Sequence, residues 1–138
     1  MKIKTRTPKI SKSYETPKWK LGYLEVAGKE GRKLLSKEQY AHAVQLVEDL
    51  AYEDNPTKSE TQDVRDIDEF YELRDKGGIL GRINLRIYFT LFEKRKLIFV
   101  LMTYKKEDDG QVPRHVVIRV RNRLRIAREE LVMKTQKG

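Results

Sequence analysis

Residues suited to phosphate chemistry lie on two neighbouring stretches of the chain. A stretch of alternating apolar and polar residues carries Arg86 and Tyr88 on its polar side. The apolar run that follows it ends in Tyr104, Lys105 and Lys106. Arginine holds phosphate through paired hydrogen bonds, lysine supplies a point charge, and tyrosine stacks on a base or transfers a proton. Together these residues predict a basic groove that binds RNA.

The same residue types allow RNA to be cleaved without a metal ion or a cofactor. In that reaction the ribose 2′-hydroxyl attacks the adjacent phosphorus, while the protein neutralises the phosphorane charge and protonates the leaving oxygen. The predicted catalytic residues are Arg86, Lys105, Tyr104 and Tyr88. A strand face exposed to solvent would show the same pattern, so a purely structural interpretation stands beside the catalytic one.

Charge is distributed along the chain in blocks. The 30 Lys and Arg residues exceed the 21 Asp and Glu residues, which gives a net charge of +9. Residues 1–35 have ten basic and three acidic side chains, residues 36–80 have five and twelve, and residues 81–138 have fifteen and six. Segregated positive charge favours a polyanionic partner, because phosphate contacts release counterions. A lysine-rich composition that only keeps the chain in solution is the alternative.

Three arginines of the last predicted helix extend the candidate RNA-binding set. The predicted RNA-binding residues are Arg74, Lys106, Arg121, Arg125 and Arg128. An ordinary amphipathic helix with an arginine-rich outer face would explain the last three equally well. A helix lying on a membrane surface is a third interpretation, but its apolar stripe lacks an aromatic anchor. Arg74 could instead pair with acids of its own strand.

Several classes of function are excluded by composition. The chain has no cysteine, which rules out disulfides, thiolate catalysis and cysteine-ligated metal centres. The longest apolar run, Leu97–Met102, is far shorter than the ~20 residues of a membrane helix. The first residues lack the apolar stretch of a signal peptide. We therefore expect a cytoplasmic protein with no membrane partner.

No metal site is predicted. His42 and His115 are far apart in sequence and have no cysteine partners, so they form no metal-binding motif. A surface position is expected for His42, and His115 could face RNA from the first turn of the last helix. A loop of acidic residues could hold magnesium, although a solvated loop is the favoured interpretation; its members are Asp63, Asp66, Asp68 and Glu69.

The secondary-structure pattern predicts one domain over residues 18–138, preceded by a basic arm over residues 1–17. The predicted order is a strand near Trp19–Val26, a turn at Gly28 and Gly31, a helix that begins at Ser36, three strands in a meander and a last helix after Pro113. Gln39, three residues after Ser36, completes an expected capping box. This order favours an α+β fold with a small antiparallel-rich sheet of about four strands packed by helices on one face.

The two most regular stretches should form adjacent antiparallel strands. They span Ile83–Leu91 and Leu97–Tyr104 and are joined by the turn Glu93–Lys96. The apolar face of the first should contact both long helices; the expected contacts on the helices are Tyr40, Val44, Val47, Val117, Val120 and Leu124.

The order of these motifs resembles the RelE/HigB toxin superfamily, and is closest to the HigB-like, phage-derived branch of type II toxin–antitoxin systems. The resemblance rests on Phe70-Tyr71-Glu72-Leu73-Arg74, Arg86-Ile87-Tyr88-Phe89, Tyr104-Lys105-Lys106, and Pro113 before a basic helix. It implies a RelE/ParE-like fold and a ribosome-dependent mRNA endonuclease with a cognate antitoxin as partner. Residues matching the family's recurrent basic positions are Arg74, Arg86, Lys105 and Lys106.

The chain departs from that pattern at both ends. Its basic arm is longer than expected, and its last helix ends in Glu129–Lys134, where there is no histidine or tyrosine to act as the family's C-terminal catalytic residue. Two other functions therefore stay open. One is a non-catalytic protein that binds RNA, the ribosome or another partner, and the other is inhibition of DNA gyrase, the activity of the related ParE branch.

Overall fold

Six strands and three helices make up the part of the chain that the computed structural model describes. That part covers residues 2–7, 16–106, 108 and 110–137, with side chains described as far as Val132. The strands form one sheet in the order β1-β2-β6-β5-β4-β3. The elements are β1 (Ile3–Arg6), β2 (Lys20–Leu24), α1 (Glu25–Leu34), α2 (Lys37–Leu50), β3 (Asp63–Asp66), β4 (Tyr71–Asp75), β5 (Asn84–Phe92), β6 (Leu97–Lys106) and α3 (Arg114–Lys137).

The sheet is mixed, so the expected antiparallel-rich sheet of about four strands is wrong. β2 pairs in parallel with β6, whereas the other neighbours are antiparallel. The two strands that were not expected are the edge strands, because β1 lies in the predicted arm and β3 in the acidic segment read as a loop. Their side chains are mostly exposed, and so they lack the alternation of a half-buried strand. Residues 8–15 of the arm lie outside the described residues.

Helices cover both faces of the sheet rather than one. α2 packs on the face formed by Leu85, Ile87 and Phe89, as expected. α3 packs on the opposite face, so the predicted contact of Val117, Val120 and Leu124 with the Leu85 face is wrong. The reason is that β5 and β6 are buried on both of their faces, and a helical layer on one face of the sheet would leave the other face exposed.

α1 occupies a segment that the sequence marks as a turn because of Gly28 and Gly31. Both glycines are buried within the helix. A Cβ atom at position 31 would lie 2.8 Å from the ring of Tyr40 on α2. Glycine therefore permits the close approach of two helices here, and does not mark a change of chain direction.

α1 also covers the edge of β6 beyond the point where its pairing with β2 ends. That pairing stops at Tyr23 opposite Val100. Arg123 of α3 donates to the Leu101 carbonyl at 3.0 Å and forms two hydrogen bonds with Glu30 of α1, at 2.7 and 2.6 Å. Side chains thus replace a neighbouring strand along this part of the edge.

Two elements confirm the sequence analysis. Ser36 and Gln39 form the expected capping box at the start of α2, with hydrogen bonds of 3.2 and 3.0 Å. β5 and β6 are antiparallel neighbours joined by a short 3-10 turn, in which Lys96 adopts a left-handed conformation with φ of 50°. This hairpin carries most of the predicted site residues.

Candidate phosphate-binding cleft

Two adjacent rows of side chains cross the sheet on the face that α3 covers. Residues directly opposite each other on neighbouring strands share a face, so the strand register defines each row. One row is Arg65, Glu72, Tyr88 and Met102, and the next is Asp63, Arg74, Arg86 and Tyr104. The register therefore brings Arg74, Arg86 and Tyr104 together.

A fully buried carboxylate lies between the two arginines. Glu72 Oε1 accepts hydrogen bonds from Arg74 Nε and from Arg86 Nη1, the second at 3.3 Å. Glu72 Oε2 accepts a bond of 2.7 Å from the Tyr88 hydroxyl. The alternative that Arg74 pairs with an acid of its own strand is therefore confirmed. Glu72 was quoted in the family motif but not identified as a site residue, although strand alternation places it on the same face as Arg74.

Arg86 is a buried cation with hydrogen-bonding capacity to spare. Its side chain is only 2% exposed, compared with 12% for that of Arg74. Its Nη2 donates to the Asp108 carbonyl at 3.4 Å, and its Nε is buried with no partner among the residues that the structure describes. An unsatisfied buried donor costs about 1–3 kcal/mol, and this Nε is enclosed by protein, so Arg86 acts on the cleft through its charge.

The side chain of Asp108 lies against Lys106, the last residue of β6. The Asp108 carboxylate pairs with Lys106 Nζ and accepts a 2.8 Å hydrogen bond from the Gly110 amide. The bond from Lys106, followed by that from Gly110, lowers the pKa of Asp108. Because Lys106 is only 9% exposed, a ligand must compete with Asp108 to reach it.

A polar cavity of about 470 Å³ opens beside these residues, at the end of β4 and the start of β5. Four cationic and two anionic side chains line it, together with one asparagine, which makes its surroundings net positive. Such a lining suits a phosphate rather than an apolar ligand. The lining residues are Asp63, Arg65, Arg74, Asp75, Lys76, Asn84 and Arg86. We call this cavity the basic cleft.

The four predicted catalytic residues are not all brought together. Arg86 lines the basic cleft, and the half-buried Tyr104 lies opposite it on β6. Tyr88 is fully buried; burial, and then its hydrogen bond to Glu72, raise the pKa of its hydroxyl far above the ordinary value of 10.0. Lys105 is exposed on the opposite face, because its register partner is Leu85. Arg86 is thus the member of this set that lines the cleft, and Tyr104 is its register neighbour outside the lining.

The three predicted RNA-binding arginines of α3 form a separate surface. Arg121 pairs with Asp68 at 2.6 Å, Arg125 with Glu129 at 3.3 Å and Arg128 with Glu69 at 3.4 Å. All three side chains are exposed, and ion pairs of this kind are weak enough for phosphate to displace. Asp68 and Glu69 precede the start of β4, whereas Arg74 lies near its end.

The histidines and acids lie in different surroundings. His42, expected at the surface, is half-buried, and its Nε2 is hydrogen-bonded to Asp75 at 2.7 Å. His115 is exposed in the first turn of α3. Asp63 and Asp66 belong to β3 rather than to a loop. Among the described residues, no three His, Asp or Glu side chains form a group that could hold a metal ion.

Comparisons with protein-family models, curated proteins and solved structures find no match to this chain. Within the described ranges, no helix has both the length and the apolar composition that crossing a membrane requires.

Proposed function

We propose that this protein is a toxin of the RelE/HigB type: a cytoplasmic, ribosome-dependent mRNA endonuclease that a cognate antitoxin holds inactive. The basic cleft supports the RNA-binding part of this proposal. The order of the sequence motifs supports the cleavage and the antitoxin, together with the position of Tyr104 opposite Arg86. The observation that carries the proposal is Arg86, a buried guanidinium that lines a polar cleft with a net positive lining.

In the proposed reaction, the ribose 2′-oxygen forms a bond to phosphorus and the bond from phosphorus to the 5′-oxygen breaks. The products are a 2′,3′-cyclic phosphate and a 5′-hydroxyl. Arg74 and Arg86 supply positive charge where the phosphorane gains negative charge. The Tyr104 hydroxyl gives its proton to the leaving 5′-oxygen and regains one from solvent, while the proton of the 2′-hydroxyl passes to water.

The proposal is tested on translating ribosomes with a defined message. Co-sedimentation measures ribosome binding, and primer extension maps new RNA ends. We expect the unmodified protein to produce new ends that carry a 5′-hydroxyl. Replacing Arg74 with glutamine should lower the cleavage rate about 10²–10³-fold, because it removes a charge that acts on the transition state. Arg119→Gln is the matched control, since it removes an exposed arginine of α3 that is not among the predicted RNA-binding residues.

Two results would overturn the proposal. If the unmodified protein binds neither ribosomes nor RNA, the basic cleft serves another anion. If Arg74→Gln and Arg119→Gln lower cleavage equally, the basic cleft is not the site of the reaction.

A second candidate is a non-catalytic protein that binds RNA or the ribosome through the same cleft. It is favoured by the burial of Tyr88 beneath α3 and by the position of Lys105 on the other face. Of the predicted proton donors, Tyr104 alone then lies next to Arg86, and it is outside the lining of the cleft. Co-sedimentation with ribosomes without new RNA ends on any message would establish this alternative.

A further inference from the structure

A second cavity lies on the face of the sheet opposite α3, between the strands and the helices α1 and α2. Its volume is about 340 Å³, and it shares no lining residue with the basic cleft. Most of its lining is aliphatic or aromatic, and the aliphatic side chains are Leu21, Ala43, Val44, Val47, Ile87 and Val100. We call it the apolar cavity.

The apolar cavity exists because α1 and α2 present small residues to it. The two helices are in close contact where Gly31 meets the ring of Tyr40. Away from that contact, Ala27 and Gly28 of α1 and Ala43 of α2 line the space without filling it. Mostly apolar pockets of about 300–1,000 Å³ with a few polar groups are the usual binding sites of small molecules. The size and the lining therefore suit one small ligand with an apolar body.

The polar group best placed to orient such a ligand is Arg6. Its Nη1 donates to Glu48 Oε1, and both residues line the apolar cavity. The Glu48 side chain is 4% exposed and that of Arg6 is 36% exposed, so the buried carboxylate holds a guanidinium that reaches solvent. Within the described part of the chain, the Arg6 side chain has no other hydrogen-bond partner. Since a guanidinium carries several N–H donors, Arg6 can bind a second carboxylate.

A second arginine makes the surroundings of the apolar cavity positive. The Arg32 guanidinium lies 5.9 Å from the centre of the Tyr40 ring, and its Nη1 donates to the Tyr40 hydroxyl at 3.5 Å. Tyr40 itself lines the cavity. Two arginines against the single carboxylate of Glu48 leave one net positive charge among these three groups. The charge therefore favours an anionic ligand over a cationic one.

We propose that the apolar cavity binds a small monocarboxylate with an apolar body. Its carboxylate pairs with the N–H groups of Arg6 that Glu48 leaves available, and its apolar part lies between α1, α2 and the sheet. Glu48 fixes the position of Arg6, and a donor that is already held in place loses less side-chain entropy on binding. The inference does not depend on RNA cleavage, because the apolar cavity and the basic cleft lie on opposite faces of the sheet.

The experiment uses octanoate as the probe, with octanamide as its uncharged analogue and octylamine as its cationic analogue. Calorimetric titration of the full chain measures the three affinities, and NMR follows the methyl signals of Ala43, Val44 and Val47. We expect octanoate to bind about tenfold more tightly than octanamide, the size of one hydrogen bond to a charged group. Octylamine should bind more weakly than octanamide. Octanoate should shift the three methyl signals.

Two variants separate the charged end of the site from its apolar body. Arg6→Gln/Glu48→Gln removes the ion pair without leaving a buried charge unpaired. It should weaken octanoate binding about tenfold and leave octanamide binding unchanged. Val44→Phe fills the cavity from α2, and should weaken both probes at least about tenfold while the protein stays folded. If either variant does not fold, the other provides the test.

Arg119→Gln is the matched control, because it removes one positive charge from an exposed position on α3, on the other side of the sheet. It should bind octanoate as the unmodified protein does. Four results would overturn the inference. They are no binding of octanoate up to its solubility limit, octanamide or octylamine binding as tightly as octanoate, octanoate binding that is unchanged in a folded Val44→Phe or Arg6→Gln/Glu48→Gln variant, or equal weakening by Arg119→Gln.

Discussion

Arg74 and Arg86 lie opposite each other on the neighbouring strands β4 and β5 and donate to the same oxygen of Glu72, yet they are buried to different depths. The Arg74 side chain is 12% exposed at the mouth of the basic cleft, and that of Arg86 is 2% exposed beneath it. Strand alternation alone suggests two equivalent surface arginines. Their depths predict different consequences when each is removed.

Arg86→Ala should destabilise the fold. It removes one of the two cations beside the buried Glu72, and breaking a buried ion pair costs about 3–5 kcal/mol. We expect a loss of about 3 kcal/mol in the free energy of unfolding, measured by urea denaturation. Arg125→Ala is the control, and its exposed pair predicts a change of at most about 1 kcal/mol. Equal losses in the two variants would contradict a structural role for Arg86.

Tyr104→Phe should separate binding from cleavage. A group that acts on the transition state contributes little to ground-state affinity. We therefore expect ribosome binding to stay within about twofold, while cleavage falls about 10²–10⁴-fold. The structure makes Lys105→Ala the control, because Lys105 lies on the other face and its loss should leave cleavage intact. Cleavage that depends on Lys105 and not on Tyr104 would show that the reaction takes place on the face of the sheet that α2 covers.

Asp108→Asn should strengthen RNA binding. The Asp108 carboxylate pairs with Lys106, so it competes with phosphate for that cation. We expect about 2–5-fold tighter binding at low salt, the size of a weak ion pair. Asp54→Asn removes the same charge from a pair with Lys18 and should have a smaller effect. Equal effects of the two substitutions would mean that only net charge matters.

Acid should reduce stability partly through Asp54 and Asp108. Hydrogen bonds from Lys18 and Lys106 lower the pKa of these carboxyl groups below the ordinary value of 3.8. Their contribution is fully present above that value and is lost as the pH falls through the lowered folded-state pKa. Urea denaturation between about pH 5 and pH 2 should show a shallower loss in the double variant Asp54→Asn/Asp108→Asn. A loss of equal steepness in the two proteins would contradict this assignment.

The elements that could be predicted from the sequence are those that bury one regular face. The alternation of β5 and the capping box of α2 are local signals, and the structure confirms both. β1 and β3 carry no such signal, since an edge strand is stabilised by backbone pairing and its side chains stay exposed. The helix α1 was missed because glycine favours a turn locally, whereas here its contact with Tyr40 decides the conformation.

Within the site, the sequence predicted the strand face on which a residue lies better than it predicted how deeply that residue is buried. Alternation places Arg86 and Tyr88 on one side of β5, and the register confirms this. The depth of Tyr88 depends on α3 packing over that side, and strand periodicity carries no information about what covers a polar face. A buried polar network and a solvated strand face therefore give the same sequence pattern. Glu72, which lies between the two arginines in the structure and shares a strand face with Arg74, is the residue in the sequence that could have indicated the network.

The parallel pairing of β2 with β6 also determines when the sheet can be completed while the chain is being synthesised. Leu21 pairs with Ile98, so this contact joins segments separated by most of the chain. A nascent chain completes β1, β2, α1 and α2 well before the central strand of its sheet has been made. During that interval β2 has only the four residues of β1 as a strand partner. Such delayed long-range pairing slows folding and leaves apolar surface open to misassociation, so the interval before β6 emerges is the vulnerable stage of biogenesis.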